Sequence, residues 1–569
     1  MTISGRQIFG LSALILLSAV GEMLLPSLLA QMINRGVNNA AKKTILILAL
    51  IMAVITLFAC IINFLLSVKI ASRISTDFAA KLRSEVFEQV QSFSCAELDR
   101  FGTASLVTRS TSDITNVQNF LTMLLRIGIL ASMMAAAGLV FSAATGGKVS
   151  SVLTIAIPVL LLALGAVVAA ASRYSVLLRQ KLDGINRLFL ESLEGVRVIR
   201  AFNKQKTEME RFGELNTGYA DTSMTAGRIT SLLMPAINVI FGVTTAAVLG
   251  LGSFYVESGA MEVGSLVANS QYISMVLMSV MMLALVIMML PTTYACSKRI
   301  AEVLETSSSV KDGDFAFEER PLRSTLEFRH VTFAYPGADE PILKDVSFTS
   351  RPGEVTAIIG GTGRGKSSIL KLIPRLYDPL FGEVLIDGVN ARDYRISDLR
   401  SIIGYVPQKN VLFSGDIASN LNFGSEDGTL SDWEHAAHIA CADEFIEKKK
   451  EKYHDPIAQG GSNLSGGQRQ RMAIARALMK KPEIYVFDDS FSALDMKTDQ
   501  VLRKRLKENI GNATVIIVAQ RISTILDADR ILVIDDGQVI GQGTHDELIK
   551  TCSVYREIAE LQLGKENLS

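Results

Sequence analysis

Residues 360–367 read Gly-Gly-Thr-Gly-Arg-Gly-Lys-Ser, the spacing G-x-x-x-x-G-K-[ST]. Glycines at this density let the backbone curl until several N–H groups converge on one point, which suits phosphate oxygens. The apolar stretch 355–359 precedes the loop, and Ser368-Ile-Leu-Lys-Leu-Ile follows it as the opening of a helix. A helix begun there aims its unpaired N–H groups and the positive end of its dipole at the same point. Lys366 brings a full charge to the β- and γ-phosphates, and Ser367 offers a hydroxyl to Mg²⁺. The candidate phosphate site is therefore Gly360, Gly361, Thr362, Gly363, Arg364, Gly365, Lys366, Ser367 and Ser368. Many loops of this pattern carry a small residue where Arg364 stands. Its guanidinium can reach a phosphate or point into solvent, and the sequence leaves both open.

Such a loop needs a strand before it and a helix after it. From about residue 325 onward, strand-like and helical stretches alternate, as in an α/β domain. Strand-like stretches fall at 326–335, 354–359, 483–487, 513–518 and 530–534. Upstream the chain is different. Apolar runs occupy 11–33, 44–68, 121–143, 149–171, 229–256 and 263–290. About 20 helical residues cross a hydrocarbon core of about 30 Å, so each run is long enough to span a membrane. The first run, with Glu22 and Pro26 inside it and another span soon after, reads as retained rather than as a signal peptide. Pro291 ends or kinks the last run. Residues 297–305 read as a helix leaving the membrane, and 306–314 as a Ser-, Asp- and Gly-rich linker.

The polar, helix-prone segments 69–119 and 172–228 hold most of the Lys and Arg of this half, whereas the short turns hold few. Cationic loops stay inside, so the long segments and both termini are expected in the cytoplasm. The expected division is 1–305 membrane domain, 306–324 linker and 325–569 nucleotide-binding domain. The fold class is thus an all-α six-helix transmembrane domain followed by an α/β P-loop domain.

Composition narrows the partners. The chain is 49% hydrophobic, with 57 Lys and Arg against 57 Asp and Glu. A neutral balance gives no electrostatic reason to expect nucleic acid. Five cysteines lie far apart without a C-x-x-C pair, which reads as unpaired thiols in a reducing compartment. His435, His438 and His454 have no metal-ligand context and read as surface residues. Within the apolar runs, Glu22, Asn63, Asn238 and Gln271 are polar. Glu22 is the candidate for contact with a cationic substrate or a proton. The methionines of 275–289 suit either an adaptable apolar surface or ordinary packing.

Leu464-Ser465-Gly466-Gly467-Gln468 precedes a helical stretch, 469–478, where Ser465 can cap and the glycines let another group approach closely. This motif, with the phosphate loop, closely resembles the signature of ATP-binding-cassette exporters. The resemblance covers nearly the whole chain. It implies that Leu464 to Gln468 meets the γ-phosphate held by a second subunit's phosphate loop. It assigns Tyr335 to stacking on adenine, Gln408 to sensing Mg²⁺ and the membrane domain, and Asp488, at the end of a buried strand, to Mg²⁺. Asp495, in Ser492-Ala-Leu-Asp, resembles the loop that couples two ATP sites, and 459–462 a segment typical of exporters. Phe101-Gly-Thr-Ala-Ser-Leu-Val-Thr-Arg109 and 194–202 look like cytoplasmic-loop motifs whose short helices press on the cassettes. The implied metal ligands are Ser367, Gln408 and Asp488. The implied cofactors are ATP and Mg²⁺. Two such halves, with twelve spans and swapped helices, are implied.

Two catalytic positions depart from that family's pattern. The residue after the strand-ending acid is normally glutamate, which orients the attacking water; here it is Asp489. Aspartate is one methylene shorter, and misplacing a carboxylate by about 1 Å can cost on the order of 100-fold in rate. The γ-phosphate histidine is replaced by Gln520, which donates a hydrogen bond but carries no charge. Both together resemble the inactive-site subunit of heterodimeric bacterial exporters.

The expected function is a subunit of an ATP-driven multidrug, lipid or peptide exporter in the cell membrane, with its cassette in the cytoplasm. The expected partners are a second half-transporter with Glu and His at the two departed positions, membrane lipid and a small amphipathic substrate. A slow homodimeric exporter, a nucleotide-gated membrane regulator and an importer are the alternatives. The fusion of membrane domain and cassette speaks against the importer.

Overall fold

The computed structural model describes residues 5–37, 42–316, 324–425 and 427–564. The expected linker residues 317–323 lie outside it. The chain divides into two compact units, one of 1–88 with 106–305, the other of 89–105 with 306–569.

The first unit is helical throughout. Its helices are Gly5–Gln31, Lys42–Ile61, Val68–Ser92, Thr103–Thr108 (shared with the other unit), Ile114–Met123, Ile129–Gly146, Val152–Glu194, Val196–Ala201, Gln205–Ser231, Leu233–Glu257 and Val263–Glu305. Short π-helical or 3₁₀ turns join several of them. Two of the helices have 43 residues each. At 1.5 Å per residue that is roughly 65 Å, about twice a hydrocarbon core, so their ends project well beyond one.

The helical stretches long and apolar enough to cross a membrane are Ile8–Arg35, Lys42–Ile61, Thr103–Glu194, Gln205–Glu257 and Val263–Glu305. The third of these holds two of the expected apolar runs, parted only by the turn Gly147–Ser151. Leu46, Leu50, Leu57 and Leu162 point outward, as a lipid-facing surface requires.

Of the two expectations for Pro291, that it ends the last span is corrected. The helix Val263–Glu305 runs on through Pro291 without ending there. Loss of one backbone bond in a helix this long and well packed is tolerated. The stretch 297–305 is the end of that same helix.

Inside the unit, small residues let helices meet. A Cβ on Gly138 would lie 2.6 Å from Val276 Cγ2. Tyr272, fully buried, donates its hydroxyl to the Met23 carbonyl at 2.9 Å and stacks on Phe141. Asn269 accepts from Ser142 Oγ at 2.7 Å.

The second unit is built on a six-stranded sheet in the order Gln538–Gly543, Arg530–Asp535, Val355–Gly360, Thr514–Val518, Ile484–Asp488, Ile403–Val406. All neighbours are parallel except the first pair. The central strands are buried on both faces, which is why they read as unbroken apolar runs. A four-stranded antiparallel sheet, Leu343–Ser350, Leu326–Phe333, Phe381–Ile386 and Val389–Asn390, packs its aromatic face into the same core.

The described linker residues Gly313 and Phe315 are bonded to this unit. Gly313 N donates to Tyr394 O, and Phe315 N to Asp393 O. Segment 89–105, distant in sequence, joins the same unit through its helix Cys95–Phe101. Ser94 and Glu97 form a capping box there, and Glu97 also accepts from Ser309 N at 3.1 Å. Burial pushes the Glu97 carboxyl up, but the hydrogen bonds from Ser94 and Ser309 more than reverse this and hold it below the ordinary glutamate range. Asp99 accepts from Tyr377 Oη at 2.5 Å, and Cys95 and Ala96 pack against the core.

Candidate active site

The phosphate loop hangs between strand Val355–Gly360 and helix Lys366–Leu372. Two of its glycines are required by geometry. Gly365 caps the helix with φ 95°, and a Cβ on Gly360 would sit 2.1 Å from Ile534 O. Lys366 curls inward and donates to Gly360 O at 2.8 Å and Gly361 O at 2.7 Å. Burial holds its ammonium below the usual lysine range, against the pull of Asp489 and Asp488. A positively charged group is thus suspended inside a ring of main chain, which fits a polyphosphate.

Ser367 Oγ donates to Asp488 Oδ1 at 2.8 Å. Asp488 ends its strand fully enclosed, and burial raises its carboxyl above the usual range despite that bond. Gln408 is exposed. Ser367, Asp488 and Gln408 supply the hard oxygen donors that Mg²⁺ prefers, so the residues fit the ion. When bound, Mg²⁺ neutralises charge between the β- and γ-phosphates.

Tyr335 is half-buried just beyond its strand. Its hydroxyl lies 3.0 Å from Ser368 Oγ, and its ring meets Tyr377 edge-on at 5.3 Å. The ring is therefore anchored at one end beside the loop helix, leaving a face for a purine. Burial and Asp99 push the Tyr377 phenol far up, so it remains a hydrogen-bond donor.

Asp489 has φ 49°, a conformation that non-glycine residues seldom adopt. Contacts to its main chain and its side chain hold it there. Its N–H donates to Val518 O at 3.0 Å, its C=O accepts from Gln470 Nε2 at 3.2 Å, and its carboxylate accepts from Gln520 Nε2 at 2.7 Å. Burial raises its carboxyl above the aspartate range, partly offset by the side chains of Ser492 and Gln408. Gln520 is itself held by Gln562, which donates to its carbonyl at 2.9 Å.

The signature residues Leu464, Ser465, Gly466, Gly467 and Gln468 lie at the start of helix Gly466–Met479. Ser465 and Gln468 form a reciprocal capping box there. Leu464 is buried, whereas Ser465 and Gly466 are exposed, and a Cβ on Gly466 would meet nothing within 4 Å. Asp495 caps the helix Met496–Asn509 through Thr498 N at 3.0 Å. The first unit holds Glu22, half-buried and without a hydrogen bond or ion pair among the described residues.

Arg364 is exposed, in keeping with the solvent direction, and is turned toward a neighbouring pair of acids. Its guanidinium reaches Asp535 at 3.3 Å and Asp536 at 3.6 Å. Gln470, whose amide joins Asp489 O to Ala493 N, was not singled out from sequence. Neither was the Ser94-to-Glu97 capping box, although its S-x-x-E spacing is readable. His438 and His454 are exposed and pair with Asp443 and Asp416.

A helical membrane half joined to a cassette with this loop, signature and strand-ending acid defines an ABC transporter half. Residues 8–299 match the family model described as ABC transporter transmembrane region, and 343–492 the model described as ABC transporter. An uncharacterised ABC transporter ATP-binding protein of Mycobacterium tuberculosis is 37% identical over 564 residues, covering 98% of this chain and 96% of that protein. A probable multidrug resistance ABC transporter ATP-binding/permease protein of Bacillus subtilis is 34% identical over 378 residues, 66% of this chain and 64% of its own length. The structure of a bacterial Atm1-family ABC exporter with ATP bound shares the fold, with a TM-score of 0.83 and 24% identity over 97% of each chain. The chain belongs to the ABC transporter family, as a multi-pass membrane protein with its ATP-binding cassette on the same polypeptide.

Proposed function

We infer that this chain is one half of an ATP-driven exporter that pairs with a different half-transporter, and that its own ATP site binds nucleotide but hydrolyses it slowly. The observation that carries the second part is the 2.7 Å bond from Gln520 Nε2 to the Asp489 carboxylate. A base that is to take a proton from water must present a free oxygen to it. Here one oxygen is engaged by an amide, on a side chain one methylene short, beside a residue that cannot carry charge to the γ-phosphate.

The signature end is free of such defects. Its capped helix leaves Ser465 and Gly466 outward for a phosphate held by the second half. Two cassettes close on ATP held between one chain's loop and the other's signature. Closure turns the membrane cavity outward, and hydrolysis at the partner's own site resets it. The partner carries Glu and His where this chain has Asp489 and Gln520.

The substrate reading is an amphipathic small molecule. An acid at Glu22 with no partner of its own favours a cationic one. Similarity to a probable multidrug resistance protein points the same way.

The deciding experiment measures phosphate release by the purified chain in lipid, alone and with candidate second halves. Slow release alone and fast release in the mixture is expected. Robust turnover by the chain alone would favour a homodimer and sink the heterodimer reading.

A further inference from the structure

The loop that holds phosphate is tied at two places to one neighbouring strand. At its start, Gly360 pairs with Ile534 in the parallel ladder. At its middle, Arg364 reaches Asp535, the last residue of that strand, and Asp536, the next residue. Asp536 and Gly537 both have positive φ, 45° and 76°, the two-residue turn that joins twisted antiparallel strands without splaying them. The turn is itself anchored. Lys344 N donates to Gly537 O at 2.8 Å, and Lys344 Nζ to Asp536 Oδ2 at 3.2 Å. The two carboxylates therefore sit at an anchored turn beside the loop.

We propose that Arg364 is a positioning residue for nucleotide, straining toward the Asp535–Asp536 turn so that the phosphate loop stays curled, rather than touching phosphate itself. The proposal rests on the reading of this loop as an ATP site. Gly361, Gly363 and Gly365 make the loop costly to order, and a loop already held in shape binds more tightly. The acids also neutralise the guanidinium, so charge on phosphate is left to Lys366. The ion pairs are partly exposed, so each is worth little alone and salt screens it. Their effect is on affinity for the β- and γ-phosphates, which the loop wraps, and not on the base, which Tyr335 meets.

The test is equilibrium binding of Mg·ATP, Mg·ADP and adenosine to the full-length protein in lipid nanodiscs. Arg364→Ser should weaken ATP and ADP by about 3-fold, the scale of exposed ion pairs, and leave adenosine unchanged. Asp535→Asn with Asp536→Asn should do the same, and all three together no more. Arg364→Lys should restore part of the affinity, and Arg364→Asp with Asp536→Arg should restore more than either alone. Raising salt should weaken ATP binding more in the parent than in Arg364→Ser. Tighter ATP binding in the double asparagine variant would mean that a freed Arg364 contacts phosphate, and would overturn the proposal. ATP affinity unmoved by every variant would overturn it too. A parent protein that binds adenosine no more weakly than ATP, or binds neither, would overturn the nucleotide reading beneath it.

Discussion

Gln520 and Asp489, thirty-one residues apart in sequence, meet at 2.7 Å through an amide hydrogen and a carboxylate oxygen. They stand at the two positions that the sequence reading set apart from the exporter pattern. The two side chains are in contact, one filling hydrogen-bonding capacity of the other.

This pairing predicts how hydrolysis can be recovered. Asp489→Glu alone lengthens the side chain but leaves Gln520 beside it, so a small gain is expected. Asp489→Glu with Gln520→His should raise phosphate release from the chain's own site by roughly 10- to 100-fold, the scale of repositioning a catalytic group by about 1 Å. Release unchanged in the double variant would place the block elsewhere.

Ser367 and Asp488 predict the response to metal. They share a 2.8 Å bond at the end of the phosphate loop. Chelating Mg²⁺ should weaken ATP binding by the parent. Ser367→Ala and Asp488→Asn should each remove most of that difference, read as the ratio of dissociation constants with and without chelator. A ratio that stays at the parent's value in both variants would argue against this metal site.

Gln470 predicts a stability effect. Its buried amide joins Asp489 O to Ala493 N at 3.2 Å each. Gln470→Ala leaves Ala493 N without its partner, while Asp489 O keeps the bond from Ser492 Oγ at 3.0 Å, and an unsatisfied buried group costs about 1–3 kcal/mol. The loss should be visible as a lower midpoint in thermal unfolding of the cassette, with a further drop in ATP-site occupancy because Asp489 loses one of its anchors.

Glu97 predicts a pH dependence. Its carboxyl is held below the ordinary range in the folded chain, so the folded state binds that proton less readily than the unfolded one. The contribution is therefore complete above the unfolded value of about 4.3 and lost as pH falls through the lower folded value. Amide hydrogen exchange in the helix Cys95–Phe101 should be protected at neutral pH and released in acid. Glu97→Gln should exchange faster at neutral pH and lose that step.

Much of the site was legible because its signals are local. The glycine loop, the capped signature and the strand ending in Asp488 each declare themselves within about ten residues, the scale on which backbone geometry and period act. Their strands were found because burial on both faces leaves an unbroken apolar run. Strand Leu343–Ser350 was not singled out, since polar residues interrupt the buried ones along it. The acids beside Arg364 went unforeseen for a different reason. They lie more than 170 residues away, on a turn whose Asp-Gly signature is visible but whose neighbour is not. The continuation of the last long helix through Pro291 depends on packing that no local rule contains.

Segment 89–105 lies in sequence among the membrane helices, yet its Asp99 seats on Tyr377 and its Glu97 on Ser309. A polypeptide cut at residue 306 to yield the cassette by itself would leave the Tyr377 hydroxyl and its aromatic neighbours uncovered. Solubility or calorimetry of such a fragment would then report on a surface that the intact chain never shows to water, and supplying 89–105 as a peptide would be the way to restore it.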